Sequence, residues 1–264
     1  MSKRILVAII AIPIVLIPIY IGGIWGVLLL VAVAVLAGFE FYDMMEQGGY
    51  HPARWLGLIW LVALAVNGYG RIAEFLPLSY VLAIGLIVSI TYALFQEERP
   101  ADTWFSTAMG AIYIGIILGQ AVSLRLRPNG LWWLLFAILV TWANDSAAYF
   151  VGVTIGKHKL WPRLSPKKSW EGTIGGWIGA ALAAVFLTYV LPITMPPLYA
   201  ALVGAVAGVL ALVGDLSISM LKRQVGVKDS GRLFPGHGGM LDRLDSILFV
   251  IPFVYMVVST FSIR

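Results

Sequence analysis

The chain of 264 residues has no cysteine, three histidines and only 12% charged residues. Without cysteine there is no disulfide framework, no thiolate nucleophile and no sulfur-rich metal site. An ordinary soluble domain carries roughly 25% charged residues. Half that share, beside 60% hydrophobic residues and a mean hydropathy of +0.91, excludes a soluble globular protein. Eight or nine membrane helices of about 20 residues each would use up most of the chain, so no separate soluble domain fits. Flexible linkers, low-complexity segments and internal repeats are also lacking, and the inverted-repeat plan of many transporters gains no support.

What is present is a series of long apolar runs broken by Gly, Pro and charge. They predict an all-α fold, a polytopic integral membrane helical bundle of about nine transmembrane helices. The predicted spans are Ile5–Tyr20, Ile24–Phe41, Arg54–Val66, Phe75–Phe95, Thr103–Val122, Leu131–Val153, Thr173–Leu191, Leu198–Leu221 and Ser246–Phe261. Lys3 and Arg4 before the first run resemble a signal peptide. A second long run follows without a small-residue cleavage site, so a retained first helix is expected. A cytoplasmic N-terminus puts fourteen of the eighteen Lys and Arg on the cytoplasmic side and leaves Arg71, Arg125, Arg127 and Arg264 opposite. The positive-inside bias favours that orientation. Omitting the short third span would place the two richest basic loops outside. Polar residues concentrate late in the chain, so residues 1–123 are expected to be structural, dimerising and lipid-facing, and residues 124–264 to form the catalytic half. The net charge of +5 suits anionic lipid, phosphate groups or cytoplasmic loops equally.

Three constellations carry polar chemistry. In the first, Asp145 interrupts an apolar span, at a cost of at least about 2.5 kcal/mol near the bilayer centre. It shares a helix face with Tyr149 and serves either as a helix–helix hydrogen-bond partner or as a cation ligand and pocket wall. The second is the basic loop from Lys157 to Gly172. Ser165, Lys167, Lys168 and Ser169 precede a helix start, where free N–H groups favour anions; Lys167 and Lys168 either contact phosphate or simply fix topology. His158 reads as a solvated loop residue and Glu171 as an acid of the helix N-terminus. In the third, Asp215, Ser219 and Lys222 recur along one helix face. Arg223, Lys228 and Asp229 follow. Gly236, Gly238 and Gly239 then allow tight turns around His237, and Asp242, Arg243 and Asp245 open a new helix. Asp242 and Asp245, joined by Asp215 or Asp145, offer hard oxygen ligands for Mg²⁺ bound to substrate phosphates. The interleaved Lys and Arg suit phosphoryl chemistry.

At these residues the chain resembles the phosphatidate cytidylyltransferases, or CDP-diacylglycerol synthases. Their signature has Ser, any residue, an apolar residue, Lys-Arg, four residues and Lys-Asp. A short spacer leads to His-Gly-Gly, two residues and Asp-Arg. Here it reads SMLKRQVGVKDSGRLFPGHGGMLDRLD, from Ser219 to Asp245. WANDSAAYFVG from Trp142 and SPKKSWEGT from Ser165 are similar to two further family segments. The specific resemblance therefore covers roughly residues 142–246.

The resemblance implies a CTP-dependent nucleotidyltransferase of phospholipid synthesis. It would make CDP-diacylglycerol and pyrophosphate from CTP and phosphatidic acid, with Mg²⁺ and K⁺ as cofactors. It further implies a homodimer in a bacterial inner (plasma) membrane, with its site facing the cytoplasm and no nucleic-acid partner. The expected catalytic residues are Asp215, Lys222, Arg223, Lys228, Asp229, His237, Asp242 and Arg243. Asp145, Ser165, Lys167, Lys168, Ser219, Gly238 and Gly239 would bind substrate, and Asp215, Asp242, Asp245 and Asp145 would hold metal. His237 takes a structural or substrate-contact role, because a phosphate monoester needs little help from a base near neutral pH. A CTP-dependent lipid-alcohol kinase and an ion-coupled transporter stand as alternatives.

Overall fold

The computed structural model describes residues 17–234 and 238–261. Its helices are α1 (Gly23–Gln47), α2 (Arg54–Asn67), α3 (Gly70–Phe75), α4 (Leu78–Leu94), α5 (Pro100–Arg125), α6 (Gly130–Ile155), α7 (Trp170–Val190), α8 (Pro197–Gln224), α9 (Leu241–Leu244) and α10 (Ile247–Thr260). Each apolar run predicted after Tyr20 forms a helix. The run Ile5–Tyr20 lies largely outside the described residues. Helices α1, α5, α6, α7 and α8 are long and apolar enough to cross a membrane. Helices α2, α4 and α10 are apolar but have only 14, 17 and 14 residues. At 1.5 Å per residue, 14 residues reach about 21 Å, short of a hydrocarbon core of about 30 Å. The protein is thus an all-α membrane protein in its helices.

The basic loop departs from the expected irregular connection. Lys159–Trp161 (β1) and Ser165–Ser169 (β2) pair antiparallel, Lys159 opposite Ser169 and Trp161 opposite Ser165. Its lysines and prolines hide the strand signal, because a small exposed hairpin needs no alternating apolar face.

The chain separates into two compact units. Met1–Leu126 and Lys222–Arg243 make up the first, Arg127–Leu221 and Leu244–Arg264 the second. In the first unit Phe41 and Tyr42 of α1, Leu61 and Leu64 of α2, and Ile114 and Leu118 of α5 are fully buried. Thr107 ties three segments together: its carbonyl accepts from Tyr42 Oη at 2.9 Å and its Oγ1 from the N–H of Ala53 at 2.8 Å, at the start of α2. The arginines sort to two ends of this unit. Arg54 donates to Glu46 at 2.6 Å and also pairs with Asp43, Arg99 donates to the Gly49 carbonyl, and Val225 packs on Gly48. At the other end Arg125 donates to the Ile19 carbonyl at 2.7 Å and Ser123 to the Gly68 carbonyl at 3.0 Å.

In the second unit, α6 and α7 run antiparallel with small residues meeting. Gly172, Gly176 and Gly179 of α7 lie against Gly152, Ala148 and Ala147 of α6. Helix α8 places Gly204 and Gly208 on Ala180 and Ala184 of α7. Small side chains let membrane helices approach closely, where van der Waals packing replaces the hydrophobic drive that lipid cannot supply.

Candidate active site

In the second unit Lys168 of the β hairpin acts on two carboxylates, Asp215 of α8 and Asp145 of α6. Lys168 forms an ion pair with Asp215 Oδ2. Ser219 Oγ donates to Asp215 Oδ1 at 3.2 Å, the contact expected for residues four apart on one helix. Asp145 Oδ1 accepts from Asn144 Nδ2 at 3.1 Å, and its carboxylate lies within electrostatic reach of both Asp215 and Lys168. One ammonium therefore serves two carboxylates. Alternate residues of a strand face opposite ways, so Lys167, next to Lys168, is exposed. Tyr149 does not supply the hydroxyl expected beside Asp145: it is exposed and meets Phe150 edge-on.

Helix α7 starts at Trp170, and two of its early N–H groups are already used. Ser169 Oγ accepts from Gly172 at 3.2 Å, and the Trp170 N–H donates to the His158 carbonyl at 2.9 Å. Glu171 accepts from the Lys157 N–H at 3.1 Å, and its Oε1 lies 2.6 Å from His158 Nδ1. His158 is thus exposed but partnered, rather than simply solvated. Ser165 opens β2 and is half-buried. Asp245 Oδ1 accepts from the Ser246 N–H at 2.7 Å, and its carbonyl passes against Gly214.

The first unit holds the second cluster. Lys222 Nζ donates to Asp242 Oδ1 at 2.7 Å, with side chains only 14% and 8% exposed. The N–H groups of Ser230 and Gly239 donate to Asp242 Oδ2 at 2.8 and 3.0 Å. Burial works against the Asp242 carboxylate, but the Lys222 ammonium and these two N–H groups outweigh it and hold its pKa below the ordinary value. The turn needs its glycines. Gly238 has φ +80°, and a Cβ on Gly239 would collide with Glu40 and Ser230. Phe234 donates to the Gly238 carbonyl at 3.0 Å. Arg223, Lys228, Asp229 and Arg243 are exposed. Lys228 and Asp229 line a cleft of about 670 Å³ with Asp43, Gln47, Ser230 and Arg232. His237 lies outside the described residues.

Each unit thus holds a carboxylate paired with a lysine, a combination suited to phosphate chemistry, and comparison with known proteins identifies the family. Residues 2–261 match the cytidylyltransferase family. The chain belongs to that family. It is 34% identical to the phosphatidate cytidylyltransferase of Bacillus subtilis (strain 168) over 266 residues, covering 99% of each chain. It is likewise 34% identical to the phosphatidate cytidylyltransferases of Staphylococcus aureus (strain COL) and Staphylococcus epidermidis (strain ATCC 12228), over 258 residues and 96% of each chain.

Reading from the sequence missed one residue at the centre of this cytidylyltransferase loop. Glu40 of α1 is buried and accepts from Met240 N–H at 2.8 Å, Leu241 N–H at 2.9 Å and Ser230 Oγ at 3.1 Å. The signal was available, because Glu40 is an acid inside an apolar run, as Asp145 is. Asp43 and Gln47 in the last turns of α1 and Arg232 in the signature loop were also passed over, since exposed polar residues look like solvated surface.

For a metal, no group of three or more His, Cys, Asp or Glu among the described residues is arranged to hold an ion alone. The donors nonetheless fit Mg²⁺, which takes one or two carboxylates and completes its shell with water and substrate phosphates. Asp215 and Asp145 lie within electrostatic reach of one another, which is the pair of carboxylates such a site takes, whereas Asp242 is already paired with Lys222.

Proposed function

We propose that the protein is a phosphatidate cytidylyltransferase of phospholipid synthesis, transferring CMP from CTP to phosphatidic acid to give CDP-diacylglycerol and pyrophosphate. The observation that carries this is the 34% identity to an enzyme so named across 99% of both chains. The polar groups suit the reaction. A lipid phosphate oxygen is already a nucleophile, and it forms a bond to the α-phosphorus of CTP while the bond from that phosphorus to the β-bridging oxygen breaks. Catalysis then rests on positioning and charge neutralisation. Lys222, Arg223, Lys228 and Arg243 neutralise triphosphate or lipid phosphate, and Lys167 and Lys168 assist from the hairpin. Asp229 orients Lys228 or binds a second cation, and His237 contacts substrate or supports its loop.

Asp215 and Asp145 of the second unit are the proposed carboxylate pair for Mg²⁺, with Asp245 as a further ligand and K⁺ as a second cation; Asp242, held by Lys222 in the first unit, is a separate candidate ligand. When bound, Mg²⁺ would neutralise phosphate oxygens. The proposal includes about nine spans with a cytoplasmic N-terminus, the site open to the cytoplasm across a bacterial inner membrane, and a homodimer. The orientation is supported by the arginine sorting within the first unit, where Arg54 and Arg99 lie at the end of the signature loop and Arg125 at the other.

The test is product identity from purified full-length protein given CTP labelled separately in cytosine and in the γ-phosphate. The proposal requires cytosine label in the lipid and γ label in pyrophosphate. Transfer of the γ label to lipid, with release of CDP, would instead identify a lipid-alcohol kinase.

A further inference from the structure

Glu40 lies some 200 residues from the loop it contacts, in the part of the chain with no expected role in chemistry. Both its oxygens accept, from two consecutive N–H groups of the loop and from Ser230 Oγ. Ser230 is the bridge. Its hydroxyl donates to Glu40 and accepts from the Asp242 N–H at 3.2 Å, while its own N–H donates to Asp242 Oδ2 at 2.8 Å. Asp242 in turn holds Lys222. Gly231 and Gly239 give the Glu40 carboxyl room to reach this position. A carboxylate is the side chain that accepts on both oxygens and donates on neither, which is what three converging donors require.

We propose that Glu40 is a positioning residue for the cytidylyl transfer, acting through Ser230 to set the Asp242 carboxylate and, with it, the Lys222 ammonium. The inference rests on the proposed activity for its catalytic consequence, but the ordering of the loop stands apart from it. Glu40→Gln keeps the size of the side chain and replaces one acceptor by a donor, which faces N–H groups that already donate. Displacements of about 1 Å at a reacting group lower rates by about a hundredfold, so kcat should fall tenfold to a hundredfold per folded molecule.

The experiment uses full-length protein in detergent, assayed for cytidylyl transfer with kcat and KM separated, beside amide hydrogen exchange of residues 228–242. The expected result for Glu40→Gln is a fall in kcat with Tm within a few degrees of wild type, faster exchange at Met240 and Leu241, and no further loss when Ser230→Ala is added. Wild-type kcat and wild-type exchange would overturn the proposal, as would a double variant in which the two losses simply multiply. Should Glu40→Gln not fold, Ser230→Ala alone is decisive: kcat per folded molecule must fall severalfold, and an unchanged kcat overturns the proposal. If wild-type protein transfers no cytidylyl group, the proposed activity fails, and the exchange rates alone then decide whether Glu40 orders the loop.

Discussion

The Lys222 ammonium donates to Asp242 Oδ1 at 2.7 Å, and the opposite oxygen of the same carboxylate closes the loop through Ser230 and Gly239. One carboxylate thus has two tasks: it fixes a cation at the end of a membrane helix, and it shapes the glycine turn beside that cation. Removing one partner of a largely buried pair typically costs about 3–5 kcal/mol, because the other charge is left uncompensated. Lys222→Met should therefore lower thermal stability clearly and abolish transfer, as read by Tm and turnover on the same preparation.

The pH dependence of this pair follows from the lowered pKa of Asp242. A depressed folded-state pKa contributes stability that is complete above the unfolded value, about 3.9 for Asp. That contribution disappears as pH falls below this value and through the lower folded one. The Tm difference between wild type and Asp242→Asn should be constant from pH 7 to 5 and shrink below pH 4. A difference that stays constant down to pH 3 would show that the carboxylate is not held in this way.

Lys168 and Lys167 are neighbours with opposite exposures, and they should respond differently. Lys168→Ala leaves Asp215 without its ammonium and should reduce turnover by about a hundredfold, the scale of losing one charge-stabilising donor. Lys167→Ala should change turnover only severalfold. Steady-state kinetics of the two variants check this, and equal losses would contradict the assignment of distinct roles.

Gly239→Ala places a methyl group against the Glu40 carboxyl and Ser230 Oγ. Overpacking of this kind costs about 1–3 kcal/mol, so Tm should fall and turnover with it. Gly49→Ala is a useful companion, because Gly49, unlike Gly239, has positive φ, and a Cβ there meets nothing within 4 Å. It should lose stability through backbone strain alone and keep its turnover per folded molecule.

Asp145→Asn preserves shape and the contact with Asn144 while removing charge from the pair with Asp215. Half-saturation by Mg²⁺ should shift upward by about tenfold or more, the scale on which metal sites respond to lost support. Titration of activity against Mg²⁺ measures it, and an unchanged midpoint would remove Asp145 from the proposed ligands.

Local features of this protein were legible in the sequence because they depend on spacing along one element. Apolar runs located every described long helix, the interval from Asp215 to Ser219 gave their hydrogen bond, and the Gly238-Gly239 pair marked a turn that does adopt positive φ. Contacts made between distant segments were not legible. Periodicity says which face of α1 Glu40 occupies, but not that Ser230, Met240 and Leu241 return to meet it. The hairpin at Lys159–Ser169 was hidden for a different reason: strands held by two edges and a short turn, and exposed to solvent, leave no alternating pattern. The reaction class came from a long ordered motif, whereas the groups that hold that motif in shape were found only in the fold.

Direct attack of lipid phosphate on CTP is the central claim, and pyrophosphate exchange tests it most directly. Purified full-length protein is incubated with CTP, Mg²⁺ and labelled pyrophosphate, with and without the lipid substrates, and label in CTP is measured. Direct transfer predicts label in CTP only when the lipid partners are present, because reversal needs CDP-diacylglycerol. Label entering CTP in the absence of lipid would mean that the protein itself accepts the cytidylyl group, and would contradict the account.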